Sequence, residues 1–132
     1  MIDLVSPTRT GQLVLGGLYN LTGSTEVHDQ IPVQVFRLES INRTLASGNE
    51  ILCGTLWWKL WVAGRWFSGV NRDHQLATHQ VGIGAGQTGK HGLHLERIER
   101  WQVRAILSDG RAYADYLQDT MKQDPQKSLV LP

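Results

Sequence analysis

The chain lacks the cross-links that stabilise many small secreted domains. It has a single cysteine, Cys53, in 132 residues, so no internal disulfide can form. Its apolar neighbours (EILCGTL) and the absence of an adjacent histidine or basic residue favour a buried structural thiol over a reactive one. A single domain of this length removes roughly two thirds of its unfolded surface from water. A hydrophobic core is therefore feasible without disulfides or a structural metal.

Long apolar runs are also absent. The segment MIDLVSPTRTGQ has neither the basic nor the apolar region of a secretion signal. The longest apolar stretch, Leu56 to Phe67, is interrupted by two basic residues and a glycine and is too short to cross a bilayer. We therefore expect a cytoplasmic protein without membrane contact. Residues 1–124 are expected to form one globular domain, and residues 125–132 a C-terminal tail.

The sequence has no large excess of charge of either sign, since its formal net charge is +1. The charges are nevertheless unevenly distributed. Residues 54–111 hold eight Lys or Arg against four Asp or Glu, whereas residues 1–53 hold three against five. A basic middle segment attracts anionic partners. The excess is small, so a solvated face without a partner is the simpler interpretation.

The segment VGIGAGQTGKHG, residues 81–92, nearly matches a phosphate-binding loop. Gly84, Gly89 and Lys90 have the required spacing, but His91 stands where a serine or threonine hydroxyl would hold magnesium. No buried strand is predicted before the segment, and the glycine after His91 weakens any following helix. We therefore reject nucleotide hydrolysis. Lys90 and His91 remain candidate contacts for an anion, with a glycine-rich connector as the alternative.

The sequence predicts neither a metal site nor a cofactor. Four of the five histidines fall between residues 74 and 94, but their spacing matches no compact zinc signature and no cysteine pair joins them. No credible catalytic triad is found. The sequence therefore favours a non-catalytic protein. A small enzyme, with a pocket under the Gly84–Gly92 loop and His91 or His94 as acid or base, is the third functional hypothesis.

Alternating apolar residues predict mostly β structure. Strands are expected at 11–16, 18–21, 33–41 and 51–62. Residues 63–65 form a hairpin turn in this prediction, with Trp66 and Phe67 returning beside Val62 and Trp61. The polar segment 71–92 is expected to be a long connection.

The C-terminal part combines two patterns. Apolar residues alternate from 101 to 107, which predicts another strand. Tyr113, Tyr116, Leu117, Thr120 and Met121 have the spacing of one helical face. The predicted fold is therefore mainly β (α+β): a small, strongly bent antiparallel sheet or partly open barrel of five to six strands, with one C-terminal helix.

Tryptophan is abundant, with four of the five tryptophans between residues 57 and 66. A period of two places Trp58 in the core and Trp57 and Trp61 on the other side of the strand. Aromatic rings interleaved with cations suit stacking on bases, sugars or partner side chains. The alternatives are a second core layer under the C-terminal helix and a subunit interface. The candidate binding face consists of Trp57, Lys59, Trp61, Arg65 and Trp66.

Arg97 and Arg100 are further candidate contacts for an anion, in a segment where arginine and glutamate alternate. Local ion pairs on a solvated face are the alternative, and each would contribute well under 1 kcal/mol. The first functional hypothesis is a non-catalytic binding or assembly module that self-associates or holds a protein partner through the tryptophan-rich face. The second is a nucleic-acid-binding accessory protein that uses the basic middle segment. Small-molecule binding is left open.

Overall fold

The computed structural model describes residues 13–23, 32–43, 48, 50–83 and 93–123. Within them, six strands form one sheet: β1 (Leu18–Thr22), β2 (Val33–Arg43), β3 (Glu50–Val62), β4 (Arg65–Ala77), β5 (Gly82–Ile83) and β6 (His94–Ile98). A 3-10 helix, Thr78–Gln80, lies between β4 and β5. Two helices follow the sheet, α1 (Gln102–Leu107) and α2 (Arg111–Gln123). The predicted fold class, a small sheet with a C-terminal helix, is confirmed.

The strands are ordered β4-β3-β2-β1-β6-β5. All neighbours are antiparallel except β5 and β6, which are parallel, so the sheet is mixed rather than purely antiparallel. In the described residues β4 and β5 are the two edges, and the sheet is open. None of the described helices is long and apolar enough to cross a membrane.

Two β-bulges interrupt the regular pairing. On β2 the register shifts between Leu38 and Ser40, leaving Glu39 as the extra residue. On β4 the residues Arg72 and Asp73 together lie opposite Thr55. Asp73 has φ 56°, a left-handed conformation that a short polar residue tolerates better than most others. A bulge turns a strand and re-aims its side chains, and Glu39 and Arg72 are the residues that enter the ion network described below.

The sheet has a hydrophobic cluster on each face. The cluster under the helices joins side chains of the sheet to those of α1 and α2: Leu18, Val35, Trp57, Ile98, Val103, Leu107, Ala112 and Tyr116. The cluster on the opposite face consists of Tyr19, Leu21, Phe36, Leu38, Leu52, Leu56, Val81 and Leu95. The central strands are therefore buried on both sides. This explains why their sequences read as nearly continuous apolar runs.

The β3–β4 hairpin forms as predicted, with Trp61 opposite Trp66 and Val62 opposite Arg65. The depth of the tryptophans differs from the prediction. Trp57 is fully buried, whereas Trp58 is half-buried and donates its indole N–H to Asn71 Oδ1 at 3.2 Å. The alternation itself is right. The Trp57 face is deeper because the helices cover it, which corresponds to the alternative of a second core layer under the C-terminal helix.

Helix α2 is confirmed, but its predicted buried face is rotated. Leu117 and Met121 are exposed, while Ala112, Tyr116 and Asp119 are buried. Asp119 takes a core position because two arginines from the sheet neutralise it, as described below. Apolar spacing alone assigns a lone aspartate to the solvent side.

The strand predicted at 101–107 is wrong, because α1 occupies Gln102–Leu107. Val103 and Leu107, four residues apart, are its buried residues, which is helical spacing. The side-chain oxygen of Gln102 accepts a hydrogen bond of 2.6 Å from the backbone N–H of Glu99. This bond satisfies a backbone donor just before the helix begins. The expected alternation was therefore a coincidence over seven positions.

Two further expectations need correction. The prediction that residues 71–92 form a long connection is wrong for the first half of that segment, because Asn71–Ala77 continue β4 and pair with β3. That polar segment forms a strand because β3 supplies a hydrogen-bonding partner along it. The strand predicted at 11–16 is also wrong for its described part, since residues 13–16 form no strand and residues 15–16 turn. The tail 125–132 lies outside the described residues.

Candidate functional site

The outer end of the β3–β4 hairpin exposes two indole rings beside a buried lysine, and we call these three residues the hairpin patch: Lys59, Trp61 and Trp66. The two indole rings meet edge to face, with centroids 5.2 Å apart. Trp61 is 45% and Trp66 53% exposed. Lys59 Nζ lies 4.7 Å from the centroid of the Trp66 ring. Burial lowers the pKa of Lys59, whose stem is covered although its ammonium group contacts the ring.

Arg65, predicted to share this surface, lies on the other side of the hairpin. It pairs with Val62, and residues directly opposite in an antiparallel pair project to the same face. Its guanidinium carbon lies 4.6 Å from the centroid of the Phe67 ring, and Phe67 is 42% exposed. The hairpin end therefore carries a cation and an exposed aromatic ring on each face.

Trp57, the fifth residue of the predicted face, is not accessible to a partner. Its ring is 0% exposed and packs edge to face with Tyr116 of α2, with centroids 5.0 Å apart. The Arg37 guanidinium lies 5.0 Å from the centroid of the same ring. Trp57 therefore packs the sheet against α2. Its assignment to the binding face was wrong, because it is a core residue.

Strand β4 forms an edge of the sheet over thirteen residues, Arg65–Ala77. No described strand pairs with its outer side. Its segment 66–71 (WFSGVN) contains no charged residue, although edge strands are commonly protected by charges. The Asp73 bulge and Arg72 interrupt the edge only beyond this segment. The unpaired edge is thus continuous with the hairpin patch through Trp66.

A network of four charged side chains connects the bulges of β2 and β4 to α2. Arg37 donates from Nη2 to Asp119 Oδ2 at 2.7 Å and to Glu39 Oε2 at 2.7 Å. Arg72 donates to the other oxygen of Asp119. Thr55 Oγ1 donates to Glu39 Oε2 at 2.7 Å. Two positive charges therefore face two negative charges, which is the condition under which burial of charges is tolerated.

Asp119 is the centre of this network and is 4% exposed. Burial raises the pKa of its carboxyl, but the hydrogen bonds from Arg37 and Arg72 outweigh burial. The resulting pKa lies below the usual aspartate value. Asp119 is thus ionised at neutral pH and joins α2 to two strands of the sheet.

A cavity of about 380 Å³ opens beside the network, between β1, β6 and α2. Three arginines line it, Arg37, Arg97 and Arg100. Of the predicted anion contacts, Arg100 lies beside the cavity. Arg97 pairs with Tyr19, and its guanidinium carbon lies 5.8 Å from the centroid of the Tyr19 ring, on the face of the sheet opposite the helices. The other two predicted contacts, Lys90 and His91, lie outside the described residues, as does the Gly84–Gly92 loop.

The remaining titratable groups form no recognisable reaction centre in the described part of the chain. His94 Nε2 lies 3.3 Å from Glu96 Oε1 on β6. Within residues 13–23, 32–43, 48, 50–83 and 93–123, no three His, Cys, Asp or Glu side chains converge on a point that suits a metal ion.

Sequence reasoning missed Arg37, Asp119 and Thr120 as members of a site. Arg37 had a weak signal, because it interrupts the apolar strand sequence VQVFRLESI. A charge in a strand buried on both sides requires a partner. Asp119 had no such signal, because its partners Arg37 and Arg72 are distant in the sequence.

Comparisons with protein-family models, curated proteins and solved structures found no match to this chain.

Proposed function

We propose that the protein is a non-catalytic assembly module that self-associates through the hairpin patch and the outer edge of β4. The unpaired, uncharged edge segment 66–71 is the observation that carries this proposal. The occupant is a second copy of the chain, whose β4 pairs antiparallel across a two-fold axis. Such an interface is self-complementary, because each copy contributes the same strand.

Backbone hydrogen bonding supports edge pairing. An edge strand presents a row of N–H and C=O groups that a further strand satisfies. Between Trp66 and Asn71 no charged side chain opposes the approach of another strand. The flanking Arg65 and Arg72 limit the pairing to this segment, since two-fold pairing of 66–71 with itself places Arg65 of one copy opposite Arg72 of the other, and like charges directly opposite are unfavourable.

The aromatic residues supply the apolar area for the contact. Trp61 and Trp66 lie on one face of the hairpin and Phe67 on the other, and all three are exposed. Aromatic side chains are enriched at the centres of protein interfaces, where their burial dominates the binding energy. Pairing along β4 would cover these rings on both faces of the extended sheet.

The test is the mass in solution by size exclusion with light scattering, combined with hydrogen exchange. The wild-type chain is expected to be a dimer, and its β4 amides should exchange more slowly at high protein concentration. Trp66→Lys puts a charge at the edge and should give a monomer. Trp61→Ser should weaken the dimer by about tenfold or more.

Trp101→Ser is the matched control, because Trp101 is 75% exposed but lies outside the hairpin. It should leave the dimer intact. Circular dichroism and thermal unfolding establish that each variant is folded. A wild-type monomer at high concentration, or a dimer that persists in Trp66→Lys, contradicts the proposal.

The second candidate function is binding of single-stranded nucleic acid. It is favoured by the charges of residues 51–72, which include Lys59, Arg65 and Arg72 but no carboxylate. Cations beside exposed rings suit stacked bases and phosphates. Binding to a mixed oligonucleotide should then weaken steeply between about 50 and 200 mM salt. Association with the oligonucleotide that does not weaken as the salt concentration rises would contradict this second function.

A further inference from the structure

We propose that two copies of the chain pair along β4 in one register, with the two-fold axis at Ser68, and that the contact of Phe67 with the partner's Gly69 selects this register. The inference rests on the proposed self-association through β4 and specifies how that interface is built. Three observations support it: the direction of the backbone groups of β4, the charges that flank the segment 66–71, and the glycine at position 69.

The turn of the hairpin fixes which residues of β4 direct their backbone groups outward. Ala63 and Gly64 form a two-residue turn in which both φ angles are positive, 51° and 80°, as in a type I′ turn. The residues beside such a turn, Val62 and Arg65, exchange backbone hydrogen bonds, and bonded and non-bonded pairs alternate from there. Every second residue of β4 therefore points its N–H and C=O away from β3. Before the bulge these residues are Trp66, Ser68 and Val70.

The outward backbone groups of these three residues are available for pairing. In the described part of the chain, no backbone hydrogen bond reaches the outer side of Trp66, Ser68 or Val70. An added antiparallel strand must set its own outward groups opposite them. With the axis at Ser68, that residue faces its own counterpart and Trp66 faces the partner's Val70. All three residues of each copy are then used.

Neighbouring registers use fewer of these groups. An axis one residue earlier sets Val70 opposite the turn of the partner. An axis one residue later sets Trp66 opposite the partner's Arg72, where the bulge interrupts the strand. An axis between two residues sets outward groups opposite residues that already bond to β3. The backbone therefore favours the axis at Ser68.

The flanking charges favour the same register. Pairing of the whole segment 66–71 with itself sets Arg65 opposite the partner's Arg72, which brings like charges together. With the axis at Ser68, Arg65 lies opposite the partner's Asn71, which carries no charge. The repulsion is then avoided.

The side chains on the face opposite the helices also fit. Phe67 of each copy lies opposite the partner's Gly69, in a non-bonded pair, where opposing side chains come closest. A Cβ atom at position 69 would lie 2.7 Å from Cζ2 of Trp58, so the indole ring already covers this glycine within one copy. An aromatic ring opposite a glycine compensates for its missing side chain. Phe67, which is 42% exposed, would be covered by the partner's Gly69 and Trp58.

The experiment is disulfide cross-linking of variants with one cysteine. Cys53→Ala removes the native thiol, and Ser68→Cys then places a thiol at the axis. Opposing Cα atoms of a hydrogen-bonded antiparallel pair are about 5.5 Å apart, within the range of a disulfide. Oxidised glutathione should therefore convert most of this variant into a covalent dimer on a non-reducing gel. Val70→Cys is the matched control on the same face, because its two thiols would lie about 13 Å apart along the strand.

A second variant tests the flank of the interface. Asn71→Asp keeps an acceptor for the indole N–H of Trp58, which lies 3.2 Å from Asn71 Oδ1, and it sets a carboxylate opposite the partner's Arg65. At low salt it should tighten the dimer about threefold or more. In an Arg65→Gln background the same substitution should have no such effect, because the opposing charge is gone.

The outcomes separate the register from self-association itself. If the protein is a dimer by light scattering but Ser68→Cys cross-links no better than Val70→Cys, this register is overturned and the β4 interface stands. An Asn71→Asp effect that persists in Arg65→Gln overturns the placement of Arg65 opposite Asn71, and the register with it. A wild-type monomer overturns both proposals. Circular dichroism establishes that each variant is folded.

Discussion

Arg37 of β2 and Asp119 of α2, which are 82 positions apart in the chain, are joined by a buried hydrogen bond of 2.7 Å between Nη2 and Oδ2. Both residues are more than nine-tenths buried. The pair holds the last helix against the sheet at the point where the cavity opens. Fold stability and the shape of the cavity therefore depend on the same contact.

Asp119→Asn is expected to destabilise the protein by about 3 kcal/mol. The amide cannot neutralise Arg37 and Arg72, and Arg37 stays buried with Glu39 as its single carboxylate partner. Urea unfolding measures the change. Asp109→Asn is the control, because Asp109 forms an exposed pair with Arg104 and should cost less than about 1 kcal/mol. Equal effects of the two variants would mean that the buried network does not stabilise the fold.

The stability of the protein should decrease as the pH falls from about 7.5 to about 5.5, because of His74. Burial lowers the pKa of His74 below its usual value of about 6.5. In that interval the unfolded chain takes up the proton first, so the free energy of unfolding falls with pH. The stability that His74 contributes is complete above the unfolded pKa and is lost as the pH falls through the folded pKa.

His74→Gln should make unfolding less dependent on pH, as measured by urea unfolding at the two pH values. The exposed His79 provides the control variant, His79→Gln, which should keep the decrease. A decrease of the same size in His74→Gln would rule out His74 as its source.

Alanine substitutions of three tryptophans should rank by burial. Trp57→Ala is expected to lower the free energy of unfolding by about 3–5 kcal/mol, because it leaves a cavity between the sheet and the helices. Trp58→Ala should cost less because its ring is half-buried. Trp61→Ala should change the stability of the monomer by less than about 1 kcal/mol and weaken self-association. Thermal and urea unfolding measure the order, and a larger loss for Trp58 than for Trp57 would contradict the assignment of the two faces.

Gly54→Ala should destabilise the sheet by about 1–3 kcal/mol. A Cβ atom at this position would lie 1.9 Å from the carbonyl oxygen of Arg37 on the neighbouring strand, so β2 and β3 would have to separate. Gly110→Ala is the control, because the nearest atom to its Cβ would be at 3.6 Å, an ordinary contact. Comparable stability of the two variants in urea would show that the strands adjust without cost.

The elements with strong local periodicity were predictable. Alternation over residues 51–62 and the Ala63-Gly64 turn predict the hairpin, and the spacing of Tyr113 and Tyr116 predicts α2. Short segments were not predictable, because seven residues from 101 to 107 satisfy a strand pattern and fold as a helix. The polar half of β4 gave no local signal, since its strand structure depends on pairing with β3.

The candidate sites likewise combine features that the local sequence predicts with features that depend on residues distant in the chain. The sequence indicated the aromatic and basic character of the hairpin. It also named Arg97 and Arg100 as contacts for an anion, which stays a prediction. It placed Trp57 and Arg65 on one surface with Trp61. The structure keeps Trp57 and Trp61 on the same face of β3 but buries Trp57, and it places Arg65 on the opposite face. Helix packing buries Trp57, and the strand register turns Arg65 to the opposite face.

The sequence by itself determined a mainly β domain with a tryptophan-rich hairpin and a terminal helix, because local alternation and helical spacing encode these elements. The tertiary structure alone decided which face of the sheet the helices cover, that Asp119 enters the core, and that three arginines and Thr120 line one cavity. These features arise from contacts between residues far apart in the chain. Their partners cannot be identified until β2, β4 and α2 are packed together.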